Sequence, residues 1–179
     1  LVAQDGKLLV SARGEDSLGQ NSGAVYYFLL GPDGYQQAQK ITPANPALAQ
    51  EFGHALAIDD TLALVGAPLA QAVALLHFNG TNWTETDVFV PSMPVPDGRF
   101  GEALALAGDS LAIGAPGTDR NAGSVEVFTG NADGGHGGDI HVAVGSGNSG
   151  VGGILNLTAG STDETLDGGA VLITAGASG

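Results

Sequence analysis

Apolar and small residues alternate in short runs along the first 128 residues, broken at intervals by Asp-Gly, Gly-Asp and Gly-Ala-Pro. A period of two places every other side chain on one face of a strand. Glycine supplies positive φ at the turns, and proline closes a strand. Three runs end in phenylalanine: Ala24-Val25-Tyr26-Tyr27-Phe28, Ala74-Leu75-Leu76-His77-Phe78 and Ser124-Val125-Glu126-Val127-Phe128. No stretch pairs helical apolar spacing with capping residues, so the pattern predicts an all-β chain.

The strands belong to a repeat. The segment from Phe52-Gly53 to Gly66-Ala67-Pro68 returns 48 residues later, from Phe100-Gly101 to Gly114-Ala115-Pro116. A third copy without its front runs from Leu1 through Lys7-Leu8-Leu9-Val10-Ser11-Ala12-Arg13. The first two copies in chain order add an aromatic after a turn, Tyr35 or Trp83, and a further strand. A unit of about 40–50 residues with several short strands is the size of a propeller blade.

Phe-Gly followed by Gly-Ala-Pro at this distance, then Ala-Gly-Ser-Val-Glu-Val-Phe, resembles the FG-GAP repeat of integrin-α-type β-propellers. The resemblance covers residues 1–128 and is best over Phe100–Phe128. It implies incomplete propeller blades, since about two and a half repeats cannot close a ring of roughly four to eight. Open blades would expose edge strands, and the opening Leu1-Val2-Ala3 reads as mid-strand. In that family an Asp-rich loop binds calcium. The corresponding loops here read Gly14-Glu15-Asp16-Ser17-Leu18-Gly19 and Gly117-Thr118-Asp119-Arg120-Asn121, with Arg120 where a third oxygen ligand would be wanted. Calcium binding of the family type is therefore not carried over.

From residue 129 the composition changes. The last 51 residues hold 15 of the 30 glycines and no Lys or Arg. A shorter repeat opens at Gly137-Gly138, Gly152-Gly153 and Gly168-Gly169, each corner leading into an alternating strand. Ile140, Val142 and Val144 align with Leu155, Leu157 and Ala159, then with Val171, Ile173 and Ala175. Like residues stacked coil upon coil predict a glycine-rich β-solenoid over 129–179, continuing past Gly179 because an uncapped end is an open edge. It resembles the Gly-rich arrays of large secreted surface proteins. The competing reading is a flexible Gly/Ser linker, which would lack the apolar stripe.

Charge narrows the function. Nineteen acidic against five basic residues give a net charge of −14, and the basic residues are scattered singly. Nucleic-acid binding draws on clustered Lys and Arg, so it is excluded, and the same sparseness argues against an anionic membrane surface as partner. No apolar run reaches the roughly 20 residues of a membrane helix. There is no cysteine, hence no disulfide framework.

The motifs with chemical meaning are few. Gly145-Ser146-Gly147-Asn148-Ser149-Gly150 has dinucleotide-loop spacing but leads into a strand rather than the helix such a site needs. Gly134–Ile140 resembles the start of a calcium-binding nonapeptide, with its apolar residue out of step. Asn131, Asp133 and Asp139 are the candidate ligands for a single calcium there, against the favoured reading of a solvated turn. His54, His77, His136 and His141 lack the spacing of a metal site. No nucleophile elbow occurs, and no catalytic residue or cofactor is expected. Asn79, Asn82 and Asn156 each open an N-glycosylation sequon. The expectation is a non-catalytic, extracellular structural or adhesive repeat protein, its propeller a docking node and its solenoid a rigid rod. Its partners would be protein or glycan surfaces, or further copies of itself in a filament. The alternative is an accessory region of a larger secreted hydrolase or lyase.

Overall fold

The computed structural model describes residues 1–45, 50–92, 94, 96–108, 110–117 and 124–129, together with 140, 157, 159 and 170–173. The chain divides into two units, Leu1–Asp139 and Ile140–Gly179.

The first unit holds three antiparallel sheets, and no helix occurs among the described residues. Sheet one is β1 (Val2–Gln4), β2 (Lys7–Ala12), β3 (Ala24–Gly31) and β4 (Gly34–Ile41). Sheet two is β5 (Leu56–Asp59), β6 (Leu62–Ala67), β7 (Ala72–Phe78) and β8 (Trp83–Phe89). Sheet three is β9 (Ala103–Ala107), β10 (Ser110–Ala115) and β11 (Ser124–Thr129). Each strand pairs with its chain neighbour, so every sheet is a meander. The fold is all β, as the alternation predicts.

Turn chemistry explains the meanders. Asp5 (φ 48°) and Gly6 (φ 73°) form the two-residue β1–β2 link, a backbone hand that matches the twist of a hairpin. Gly34 and Gly80 take positive φ where β3 turns into β4 and β7 into β8. The strands run further than their terminal phenylalanines imply: β3 continues past Phe28 to Gly31, and β7 begins at Ala72 rather than Ala74. Pairing sets the true equivalence between sheets, with Ser11 opposite Val25, Gly66 opposite Val73 and Gly114 opposite Val125. In that frame the irregularity after Tyr27 in sheet one and the one after Leu75 in sheet two fall at the same place.

The innermost strands adjoin one another, β1 against β5 and β5 against β9. Two apolar clusters fill the spaces between sheets. The first gathers Leu9, Val25 and Tyr27 from sheet one with Ala63, Val65, Leu76 and Trp83 from sheet two. The second joins Leu64 and Val73 of sheet two to Leu111 and Ile113 of sheet three. Strand β6 sends alternate side chains into both, which is why its sequence is apolar without interruption.

Of the second unit, Ile140, Leu157, Ala159 and Ala170–Ile173 are described, and none lies in a strand. Leu172 and Ile173 are exposed. The rest of the three Gly-Gly repeats, and hence the solenoid reading, lies outside the described residues.

Candidate functional site

The repeat motif builds the joints between sheets. Glu51–His54 forms a tight turn in which the His54 amide donates to the Glu51 carbonyl at 3.0 Å. Arg99–Glu102 repeats it, Glu102 N to Arg99 O at 3.1 Å. Gly53 (φ 94°) and Gly101 (φ 93°) occupy the third position of their turns, where the backbone geometry calls for a residue without Cβ. Each glycine then donates across its own sheet to the Gly-Ala-Pro strand, Gly53 N to Gly66 O at 3.0 Å and Gly101 N to Gly114 O at 3.1 Å. The phenylalanine is thereby aimed backwards at the preceding sheet. Phe52 N donates to Ser22 O at 3.2 Å, and Phe52 and Phe100 are buried in the first and second clusters, respectively.

Polar side chains fasten the same joints. Gln39 of β4 acts as one more strand partner for Trp83: its Oε1 accepts from Trp83 N and its Nε2 donates to Trp83 O, both at 2.8 Å. At the inner hairpin tips Gln4 Oε1 accepts from Asp60 N at 2.9 Å, and Gln4 Nε2 donates to Asp59 Oδ1 at 3.4 Å. Asp59 Oδ2 in turn accepts from Gly108 N of the third sheet. The Gly108 amide, and secondarily Gln4, hold the Asp59 carboxyl below its ordinary range. One carboxylate thus ties three successive tips together.

Trp83 also packs edge-on against Tyr27, with ring centroids 6.2 Å apart, and lies 5.1 Å from Phe78. The Lys7 ammonium sits 5.4 Å from the Phe78 ring centroid, a favourable placement for a cation over an aromatic face. Tyr27 Oη and Trp83 Nε1 are buried without a hydrogen-bond partner.

The two acids of the loop Gly14–Gly19 are bonded by other groups of sheet one and its loops. Lys40 Nζ lies 2.7 Å from Glu15 Oε1 and 3.0 Å from Ser17 Oγ. Bonded first by Lys40 and then by Ser17, the Glu15 carboxyl is lowered to about 2. Asp16 Oδ1 accepts from Asn21 N at 2.7 Å. Lys40, Ser17 and the Asn21 amide therefore bond carboxylate oxygens of this loop. Among the described residues no group of three His, Cys, Asp or Glu side chains is placed to hold a metal. The second loop beyond Gly117, with Arg120, and the candidate ligands Asn131, Asp133 and Asp139 lie outside the described residues, as does Asn156.

Asn79 and Asn82 are exposed in the β7–β8 turn. Asn79 Oδ1 accepts from the amides of Thr81 and Asn82 at 3.0 and 2.9 Å, so that sequon folds over itself as an Asx-type turn. His54 pairs with Glu51 at 3.1 Å beside its own turn, and His77 is exposed. Sequence reasoning missed Gln4, Gln39 and Lys40. Each acts across 23 or more residues of chain, on a partner that no local pattern marks.

Repeated antiparallel sheets locked by a backward-pointing Phe-Gly turn define a tandem-repeat protein of the blade type. The FG-GAP repeat pattern matches residues 35–81 and 83–128, and the chain belongs to that family. Each matched unit begins in or at the outer strand of one sheet and ends in or just after the third strand of the next, so each spans a whole joint. Residues 1–34 precede the matched ranges, yet β1–β4 has the same topology as β5–β8. No curated protein matches the chain. No helix among the described residues is long and apolar enough to cross a membrane.

Proposed function

We propose that this chain is a non-catalytic, extracellular structural or adhesive module, in which FG-GAP blades form a docking node and the glycine-rich segment a rigid spacer. FG-GAP repeats are typically involved in protein binding and are typical of extracellular or surface proteins. One observation carries the reading: the polar side chains that reach within and between the sheets hold the architecture together. Glu15 is bonded to Lys40, Asp59 to Gly108, and Gln39 to the Trp83 backbone. A glycosidase site instead needs two carboxylates flanking a cleft.

The secretory part of the proposal is tested by tandem mass spectrometry of the natively purified protein. Glycan at Asn79, Asn82 or Asn156 is the expected result. Confident detection of all three asparagines bare would overturn the secretory assignment. The paired sequons at Asn79 and Asn82 are close enough that one glycan would hinder the second.

A further inference from the structure

The turn between β7 and β8 closes the Phe78–Trp83 pair through Asn79-Gly80-Thr81-Asn82, all four exposed. Asn79 Oδ1 accepts from the Thr81 amide at 3.0 Å and from the Asn82 amide at 2.9 Å. These two bonds fold the Asn79 carboxamide over the Gly80 amide that lies between. Gly80 N itself donates to no partner among the described residues. Gly80 has φ 96°, and beyond its chain neighbours no atom comes within 4 Å of the place a Cβ would take. The turn thus sets an unbonded, unobstructed backbone nitrogen beside a side-chain carbonyl that two donors polarise. Donors aimed at such an oxygen stabilise the negative charge that a nucleophile's attack places on it.

The other asparagines among the described residues each lack the free nitrogen. Asn21 precedes Ser22, which is 1% exposed and whose amide donates to Gly19 O at 3.1 Å. Asn45 precedes Pro46, which has no N–H. Asn82 precedes Trp83, also 1% exposed, whose amide donates to Gln39 Oε1 at 2.8 Å.

We propose that Asn79 is a site of spontaneous modification, where Gly80 N attacks Asn79 Cγ and closes a succinimide ring. The N–Cγ bond forms, the Cγ–Nδ2 bond breaks, and Nδ2 leaves as ammonia with the proton that Gly80 N gives up. Water then opens the ring at either carbonyl, giving aspartate or β-linked isoaspartate. The isoaspartate form adds a carbon to the main chain inside the turn that Asn79 N closes onto Asn82 O at 3.1 Å. It lengthens the link beside Trp83, the residue whose backbone Gln39 clamps to sheet one. Asn79 Nδ2 is also the atom that an N-linked glycan would occupy. Glycosylation and ammonia loss therefore compete for one atom, and an aspartate at position 79 is not by itself the trace of a removed glycan. The inference does not depend on the chain being secreted.

The test incubates the whole 179-residue chain, made without glycan, in mildly alkaline buffer, with circular dichroism confirming that it stays folded. Peptide mapping by mass spectrometry locates each new aspartate and isoaspartate, and enzymatic methylation counts the β-linked form. Asn79 is expected to convert about tenfold or more faster than Asn21, Asn45 or Asn82, a difference of the kind that orientation of reacting groups produces. Asn79→Gln, which moves the carbonyl one methylene further out, should remove the signal at this position. A linear peptide of residues 75–87, which lacks the folded turn, should convert no faster than the folded chain. The proposal is overturned if Asn79 stays an amide in the folded chain. A peptide that converts faster than the folded chain would overturn it as well, because the turn would then shield Asn79. Equal conversion at Asn21 or Asn82 would contradict the selection by the free Gly80 amide.

Discussion

The two filled joints share a backbone and differ in their stuffing. Between sheets one and two, Phe52 enters a space that also holds Tyr27, Phe78 and Trp83, with Gln39 clamped to the Trp83 backbone. Between sheets two and three, the residues buried with Phe100 are aliphatic, namely Leu64, Val73, Leu111, Ile113 and Ala115, and Phe89 packs partly buried against them. The tightest backbone approach also shifts. At the first joint a Cβ on Gly23 would lie 2.2 Å from the Phe52 carbonyl oxygen, and the Gly-Ala-Pro strand carries Ser11. At the second joint Gln71 stands in the place of Gly23, and a Cβ on Gly66 would lie 2.1 Å from the Gly101 carbonyl oxygen. The turn that aims the phenylalanine is constant, whereas the glycine relieving the backbone contact moves to wherever that contact falls.

Truncating the plug should have the largest effect. Phe52→Ala and Phe100→Ala are each expected to cost about 3–5 kcal/mol, the range for a buried aromatic. Urea titration followed by circular dichroism measures both. Equal, negligible losses would mean the sheets are held by something other than the plug.

The moved glycine gives the next contrast. Gly66→Ala forces backbone apart at the second joint and should cost about 1–3 kcal/mol. Ser11→Ala, at the equivalent position of the first joint, should stay within about 0.5 kcal/mol. A similar cost at both positions would break the distinction drawn between the joints.

The aromatic joint carries an unpaired hydroxyl, Tyr27 Oη, and burial pushes its ionisation upward. Tyr27→Phe removes a buried polar group with no partner, so it should be neutral or stabilising by up to about 1 kcal/mol. Clear destabilisation in a thermal melt would show that the hydroxyl has a partner.

The smallest effect is electrostatic. Glu15 is lowered from 4.5 to about 2, chiefly by its hydrogen bond to Lys40. A carboxyl depressed in the folded state stabilises above its unfolded value and loses that contribution as pH falls. Melting temperature should therefore decline from about pH 4.5 toward pH 2, with the lowered Asp59 adding in the same direction. Both groups are open to solvent, so the slope is shallow. Glu15→Gln should flatten it, and an unchanged slope would remove Glu15 from the account.

Much of this architecture was legible in the sequence because the repeat is local. Phe52-Gly53 and Gly66-Ala67-Pro68 sit on one hairpin, and the run of apolar and small residues over Leu62–Ala67 marks a strand. The register between sheets was not legible. Alignment on the terminal phenylalanines places Phe78 opposite Phe28, whereas pairing puts Leu76 there, because β7 starts two residues earlier than the pattern implies. The clasps from Gln4, Gln39 and Lys40 were invisible for a related reason. An exposed-looking polar residue on an edge strand reads as solvated until its partner, tens of residues away, is placed beside it.

The central claim is that each Phe-Gly turn couples its sheet to the one before it and to no other. A double-mutant cycle tests this directly, pairing Phe52→Ala with Val25→Ala and, separately, with Val73→Ala. Phe52 and Val25 share the first cluster, whereas Val73 belongs to the second. The predicted result is a coupling of about 0.5–3 kcal/mol for Phe52 with Val25, and additivity within about 0.5 kcal/mol for Phe52 with Val73. Additivity in both cycles, or coupling of equal size in both, would contradict the account.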